Sequence, residues 1–369
     1  SGSGTGSGSG TSSGSGTGSG SSSGTGTGAD SSAGIDSGTG TGSSDKSLSG
    51  SGSSGSGSVP SPFTVNPSMK VFSEAYLSGL PLLNQTGDLA IRGLQDFLYD
   101  FHAFGIFAGG QNRYYSGSHI DLKSYSVVGG VGKGFALPAG ELSVAAFVEY
   151  GKGNYDTYNI FTTALHGTGD LKHFGAGVLG KYNFGKLQTS GFYVEGSLRA
   201  GRIRNEYRNG DLRYMGVAGG YNASNAYMGL HLGAGYVWEL TDNLSLDISG
   251  KYFRAVEKGD SIHLTTGDPI HFDDVTSSRI RLGGRLVYEG LESVKPYAAL
   301  YYEREGDGKV SATTSGYKIE TPDLSGTTGI GEIGVTFIPA PQFTIEAGLQ
   351  GYAGRREGFT GSLRIKYAF

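Results

Sequence analysis

Few residues of this sequence combine the type and spacing that catalysis demands. Gly129-Gly130-Val131-Gly132-Lys133-Gly134 is the closest approach to a phosphate-cradling loop, since glycine amides and a lysine are what a phosphate needs. The P-loop spacing and its Ser or Thr are missing, and the stretch lies inside an alternating run where small residues let another backbone come close. His263, His271, Asp273 and Asp274 offer metal ligands without a recognisable ligand spacing, and they read as a solvated loop. His102, His166, His173 and His231 are scattered, so no Ser, Asp and His set converges on one rim as a hydrolase requires. The chain has no cysteine, which removes thiolate zinc sites, thiol nucleophiles and disulfides. The expectation is a protein without catalytic residues, bound metal or cofactor.

What remains are charges, and their spacing has a period of two. Ile280, Leu282, Gly284, Leu286 and Tyr288 fall on one face of a strand, and Arg279, Arg281, Gly283, Arg285 and Glu289 on the other, with Val287 the apolar exception. Near the C terminus Leu363, Ile365, Tyr367 and Phe369 alternate with Arg364 and Lys366. Glu149, Glu195, Arg199, Asp247, Lys251, Glu332 and Glu346 occupy the polar parity elsewhere. A small soluble barrel fills its interior with apolar side chains. A charged inner face under an apolar, Tyr-rich outer face implies lipid outside and water inside. The charges would then line a pore, or hold the barrel's shape as a salt-bridge network.

Those faces must be carried by strands. Alternation and turn residues mark twelve of them from His102 to Phe369, an even number. Connections 136–140, 185–190, 239–242, 289–293 and 339–341 are short, whereas 157–168, 208–223, 257–274 and 304–327 are long. Short and long connections alternate, as periplasmic turns and external loops do in outer-membrane barrels. Tyr150, Tyr236, Tyr252, Tyr288 and Tyr367 fall near strand ends, where an aromatic girdle belongs.

Ahead of the strands stand two other materials. Residues 1–65 are rich in Gly, Ser and Thr and cannot bury enough apolar surface to offset the entropy of ordering, so they read as a disordered linker. Residues 66–100 read as helix, with Asn66 as N-cap and Pro67 in the first turn. Gly79-Leu80-Pro81 should break it into two pieces, of which residues 82–99 are expected in the barrel. Asn84, Asp88, Arg92 and Asp96, with Lys70 and Glu74, suit a charged pore better than lipid. The net charge of −4 argues against nucleic acid as a partner. No apolar run is long enough for a membrane helix, and no signal peptide is visible, so the chain reads as processed or as a fragment.

In this order the motifs resemble a known family. The Gly/Ser-rich region, the helix with Leu83-Asn84-Gln85-Thr86-Gly87-Asp88-Leu89, then Phe104-Gly105-Ile106-Phe107-Ala108-Gly109-Gly110 and Arg113-Tyr114-Tyr115-Ser116-Gly117-Ser118-His119-Ile120-Asp121, look like the translocator domain of classical (type Va) autotransporters. Leu363, Ile365, Tyr367 and the terminal Phe369 are similar to the strand signal read by the bacterial barrel assembly machinery. The resemblance implies an all-β membrane protein, a 12-stranded antiparallel outer-membrane barrel over residues 101–369 with the helical segment in its pore. It also implies export and surface anchoring of an N-terminal passenger, with external loops and linker at the cell surface. Some members cut an Asn-Asn pair inside the barrel. Here the matching stretch reads Leu77-Ser78-Gly79-Leu80-Pro81, so an uncleaved or separately processed passenger is expected. The expected partners are outer-membrane lipid, the assembly machinery and the protein's own passenger, with the barrel monomeric. Competing readings are a small-solute diffusion porin, and an adhesin or enzyme acting through external loops.

Overall fold

The computed structural model describes residues 65–94, 101–184 and 190–369. The expected linker up to residue 64 and the end of the expected helix, with Asp96, lie outside the described residues. Strands run the rest of the way: β1 (Phe101–Tyr115), β2 (His119–Leu137), β3 (Gly140–Ile160), β4 (Ala164–Phe184), β5 (Gly191–Tyr214), β6 (Val217–Thr241), β7 (Leu244–Glu257), β8 (Asp260–His263), β9 (Pro269–Phe272), β10 (Val275–Tyr288), β11 (Val294–Glu305), β12 (Ala312–Thr314), β13 (Tyr317–Ile319), β14 (Gly326–Ala340), β15 (Phe343–Gly354) and β16 (Arg356–Ala368). Twelve of these close an antiparallel barrel in the order β1-β16-β15-β14-β11-β10-β7-β6-β5-β4-β3-β2. The seam between first and last strand pairs His102 with Ala368 through to Tyr114 with Arg356.

Burial is inverted relative to a soluble protein. Phe174 is 63% exposed and Leu300 75%, whereas Glu149 is 1% exposed and Arg364 2%. An outer wall of Val127, Val148, Val178, Leu198, Met228, Ile280 and Ile333 surrounds an inner wall that carries charge. Such a wall is stable against hydrocarbon, where every backbone group finds its partner in the neighbouring strand.

Beyond that band the alternation changes sign, and two expected loops turn out to be strand. Residues 157–168 and 208–223, expected as long connections, are where apolar-out, polar-in patterning stops. In fact β3 and β4 stay paired to Ile160 and Ala164, and β5 and β6 to Tyr214 and Val217. Tyr155, Leu171 and Tyr207 point inward and are almost fully buried, while Asn154, Asp170 and Glu206 point out to water. The turn between β5 and β6 is two residues, Met215 and Gly216, both at positive φ (47° and 81°). That geometry matches the twist of a hairpin and explains the glycine. The long connections 257–274 and 304–327 are hairpins as well: β8–β9 and β12–β13 join through Ala312 opposite Phe272 into a four-stranded sheet. His263 and His271 sit on that sheet, and no three metal-ligating side chains gather among the described residues.

The helix fills the lumen. A 3₁₀ turn (Pro67–Met69), capped by Asn66 Oδ1 accepting from the Ser68 amide at 3.0 Å, leads into α1 (Lys70–Leu77) and α2 (Gly79–Ala90). The expected break is reduced to one residue. Ser78 keeps right-handed helical angles (φ −62°, ψ −18°), its amide bonds the Ala75 carbonyl at 3.3 Å, and Pro81 falls in the first turn of α2. A proline there lacks an N–H that would have no intrahelical partner, and the single tighter turn relieves its ring from the carbonyl one turn back. Both pieces lie inside the barrel, since every residue of α1 is buried. This corrects the expectation that only residues 82–99 enter the pore.

The seam gives a direct test of closure. A Cβ on Gly110 would stand 2.1 Å from the Phe359 carbonyl oxygen of β16. Gly110→Val should therefore push β1 from β16 and cost about 1–3 kcal/mol. Urea titration of the folded, heat-modifiable gel band should show an earlier midpoint, and an unchanged midpoint would refute so close an approach.

Candidate functional site: a helix locked in the barrel lumen

The two halves of the lumen hold the helix by different means. Toward the long hairpins, Val71, Phe72, Ala75, Tyr76, Leu77, Leu80 and Leu82 pack against Leu122, Tyr155, Tyr207, Tyr221, Phe272 and Val310 in one apolar cluster. The Tyr76 ring stacks on Phe272 at 4.1 Å, its hydroxyl donates to the Lys258 carbonyl at 2.9 Å, and it accepts from Asn225 at 2.6 Å. Asn205 donates to the Ala75 carbonyl at 2.7 Å. Glu74 is buried within this cluster and accepts hydrogen bonds from Ser116, Ser118 and Asn159, while Lys70 pairs with Glu320 of the external hairpin. The watery inner face of mixed charge expected from parity is therefore not continuous through the barrel, since this half is filled by an apolar cluster.

At mid-height the contacts become polar. Gln85 accepts from Ser124 at 2.8 Å and donates to Ser126 at 3.3 Å, and Thr86 meets His173 Nε2 at 2.8 Å. Arg199 donates to the Leu83 carbonyl at 2.7 Å and pairs with Glu149 at 2.9 Å. Gly87 makes room for it, since a Cβ there would lie 3.0 Å from the Arg199 guanidinium. Asn84 donates to Ser277 at 3.1 Å.

Below, α2 presents one charged and one apolar side. Asp88 pairs with Arg279 at 2.9 Å and Arg281 at 2.7 Å, and both arginines also hold Glu303, at 3.0 and 2.6 Å. One turn on, Arg92 pairs with Glu332 at 2.6 Å and Glu346 at 3.4 Å, and Glu346 in turn meets Arg285 and Arg364 at 3.1 and 3.0 Å. Leu89 and Ala90 face the opposite wall, packing with Phe104, Ile106, Val128, Phe147 and Leu179. Buried charges of this kind are costly unless paired on all sides, and here opposite signs alternate around the helix.

Of the charges singled out by parity, Glu149, Glu195, Arg199, Arg281, Glu332, Glu346, Arg364 and Lys366 are buried on the inner face, and Asp247, Lys251 and Arg285 are half-buried there. Arg199, Arg281, Glu332 and Glu346 touch the helix. Lys251 pairs with Glu195 at 2.6 Å, and Asp247 accepts from Tyr193 at 2.9 Å, on a cavity of about 70 Å³ shared with Asp88 and Arg92. Leu363, Ile365, Tyr367 and Phe369 are exposed on the outer wall. Sequence reasoning missed the lock's partner Glu303 and the polar contacts of Asn205, Asn225, His173 and Ser277. Glu303 had a readable signal, since it lies opposite Arg281 in the β10–β11 register.

Removing one member of the lock leaves its partners under-neutralised. Asp88→Ala leaves two buried arginines to one glutamate and should loosen α2 by on the order of 3 kcal/mol, about a hundredfold faster amide exchange across Gly79–Ala90. Hydrogen exchange of the folded variant measures this, and unchanged protection would mean that the apolar contacts alone hold the helix.

Known proteins share the barrel fold. The family model described as Autotransporter beta-domain matches residues 101–350. No curated protein sequence matches the chain significantly. Among solved structures, the transport unit of AIDA-I from Escherichia coli superposes with a TM-score of 0.61 at 14% identity, over 75% of this chain and 92% of that one. The β domain of Bordetella BrkA gives 0.58 at 16% identity over 73% and 100%, and the NalP translocator domain of Neisseria meningitidis 0.57 at 13% over 82% and 98%. No described helix is long and apolar enough to cross a membrane, and the crossing is made by strands. The chain belongs to the autotransporter beta-domain family, as an outer-membrane translocator for type V secretion of a linked passenger.

Proposed function

We propose that residues 66–94 are a retained plug and tether, which holds the passenger side of the chain at the cell surface once export is complete. The observation that carries this is the paired lock of Asp88 on Arg279 and Arg281 and of Arg92 on Glu332 and Glu346. The direction of the helix supports it. Val65 packs into the apolar cluster at the end of the long hairpins, whereas Phe101 lies with the C terminus, the Phe369 amide bonding its carbonyl at 2.9 Å. The chain therefore descends through the lumen before β1 begins, and residues 1–65, as linker, would lead outward. Glu149, Glu195, Arg199, Asp247, Lys251, Arg281, Arg285, Glu332, Glu346, Arg364 and Lys366 act as wall charges of both signs, past which a polypeptide slides without adhering to one.

The unit is non-enzymatic and monomeric in this reading. Its outer wall meets lipid, and Leu363, Ile365, Tyr367 and Phe369 engage the barrel assembly machinery. Pockets that open on the helix measure about 50, 20 and 70 Å³, room for a few waters each rather than for a solute path, which disfavours the diffusion porin.

Planar-bilayer recordings test the plug. The full chain should hold its channel closed, and deletion of residues 66–94 should open a steady conductance, whereas equal conductance would sink the reading. The assembly signal is tested separately: Tyr367→Ala with Phe369→Ala should cut the amount of barrel in outer membranes several-fold while detergent-refolded protein keeps its heat-modifiable band. Equal membrane levels would remove those side chains from any targeting role.

A further inference from the structure

On the outer wall a row of cations crosses β3, β4 and β5 where the apolar band ends. Lys152 lies opposite Lys172, Lys172 lies opposite Arg204, and Arg202 occupies the next outward position below, opposite Phe174. Residues so paired have Cα atoms about 5 Å apart, and like charges placed directly opposite repel. Carboxylates are opposed in the same way farther out, Asp170 with Glu206 and Asp121 with Asp156, but those stand beyond the apolar band. Arg113 is held by Asp121 in two bonds of 2.6 and 2.7 Å, yet no carboxylate among the described residues forms an ion pair with Lys152, Lys172, Arg202 or Arg204. Asp170 and Glu206 stand one outward position farther into water, where Asp170 accepts from Asn154.

The wall below is cut away on the same strands. Ala176 faces Ala200, and beneath them Ala146, Val178, Gly180, Gly196 and Leu198 border an apolar groove of about 730 Å³. Lys172 and Val178 are six residues apart, about 20 Å along a strand, which at a 45° tilt is about 14 Å of depth, or one leaflet of hydrocarbon. Cations at the polar boundary and a groove one acyl chain below are complementary to a single class of molecule.

We propose that Lys152, Lys172, Arg202 and Arg204 bind the phosphates of a net-anionic, phosphate-bearing lipid of the outer leaflet, whose acyl chains descend past Ala176 and Ala200 toward the groove. The site rests on the reading of the outer wall as lipid-facing. It adds a headgroup specificity that a merely greasy wall lacks, and the lipid would neutralise a row that otherwise repels itself.

The full chain in detergent is titrated with bisphosphorylated lipid A, with phosphatidylcholine, and with inorganic phosphate as competitor. Lipid A should bind the wild type at least tenfold tighter than phosphatidylcholine. The Lys172→Gln/Arg204→Gln double variant should lose about 10- to 30-fold, and Arg304→Gln, an outward cation on β11, should lose nothing. Affinity should also fall as salt rises, a readout on the wild type that holds even if the double variant does not fold. Equal binding by wild type and double variant, equal affinity for both lipids, or salt-independent binding overturns the proposal. Full competition by millimolar inorganic phosphate overturns the lipid assignment in favour of free phosphate. Insertion into phosphatidylcholine vesicles, scored by heat-modifiability, reports the lipid-facing wall itself: failure there faults that reading, and insertion with equal lipid binding faults the headgroup site alone.

Discussion

A backbone amide in hydrocarbon has no water to turn to, so the wall of this protein must close on itself before anything else about it can be settled. Closure brings β1 beside β16, places both ends of the barrel at the rim of tight turns, and leaves the chain ahead of β1 one economical course, through the lumen. It also sorts the side chains. Apolar residues gain nothing by turning inward when the outside is lipid, so the interior is free to carry Glu149, Arg199, Arg281 and Glu346, and those charges become the material from which a helix can be held.

The interior solves two problems at two heights. Above the membrane the wall stands in water, and there it behaves like a soluble protein: Tyr155, Tyr207, Tyr221 and Phe272 turn inward around α1 and form a conventional apolar core. Within the membrane the wall cannot draw on that contrast in both directions, because its apolar residues are already engaged with lipid. Directional contacts take over, as hydrogen bonds to Gln85 and Thr86 and ion pairs to Asp88 and Arg92. The helix is thus anchored by hydrophobic burial at one end, and at the other by charge on one side and the smaller apolar contact of Leu89 and Ala90 on the opposite side.

This division explains what the sequence let through. Twelve barrel strands and the inward charges are legible because lipid outside and polarity inside make a sharp alternation, as in Ile280–Tyr288 and near Phe369. The upper parts of β3 to β6 are hidden because the alternation reverses sign at the membrane boundary, so a continuous strand reads as strand followed by loop. The partners in the lock are hidden for another reason. Asp88 is separated from Arg279 by 191 residues and from Arg281 by 193, and only the closed register brings them together. The near-continuity of the helix at Gly79–Pro81 is hidden because a proline disrupts a helix only beyond its first turn, and Pro81 falls within the first turn of α2.

Charge also fixes where along its axis the helix stops. Asp88 and Arg92 are four residues apart, on one face and about 6 Å along the axis. A slip of one turn toward the hairpins would carry Arg92 into the position of Asp88, against Arg279 and Arg281. A slip of one turn the other way would carry Asp88 against Glu332 and Glu346. Both neighbours of the observed register are therefore like-charged and buried, while the observed one is neutralised at both sites. Apolar packing alone is tolerant of sliding, since one leucine replaces another with little loss. The glycines reinforce the choice: Gly87 lies against Arg199, and Gly93 lies against Phe104, where a Cβ would come within 2.8 Å, so a bulkier residue brought there by a slip would collide. A chain that must pass through this lumen and then halt at one place can do so because only one alignment pairs its charges.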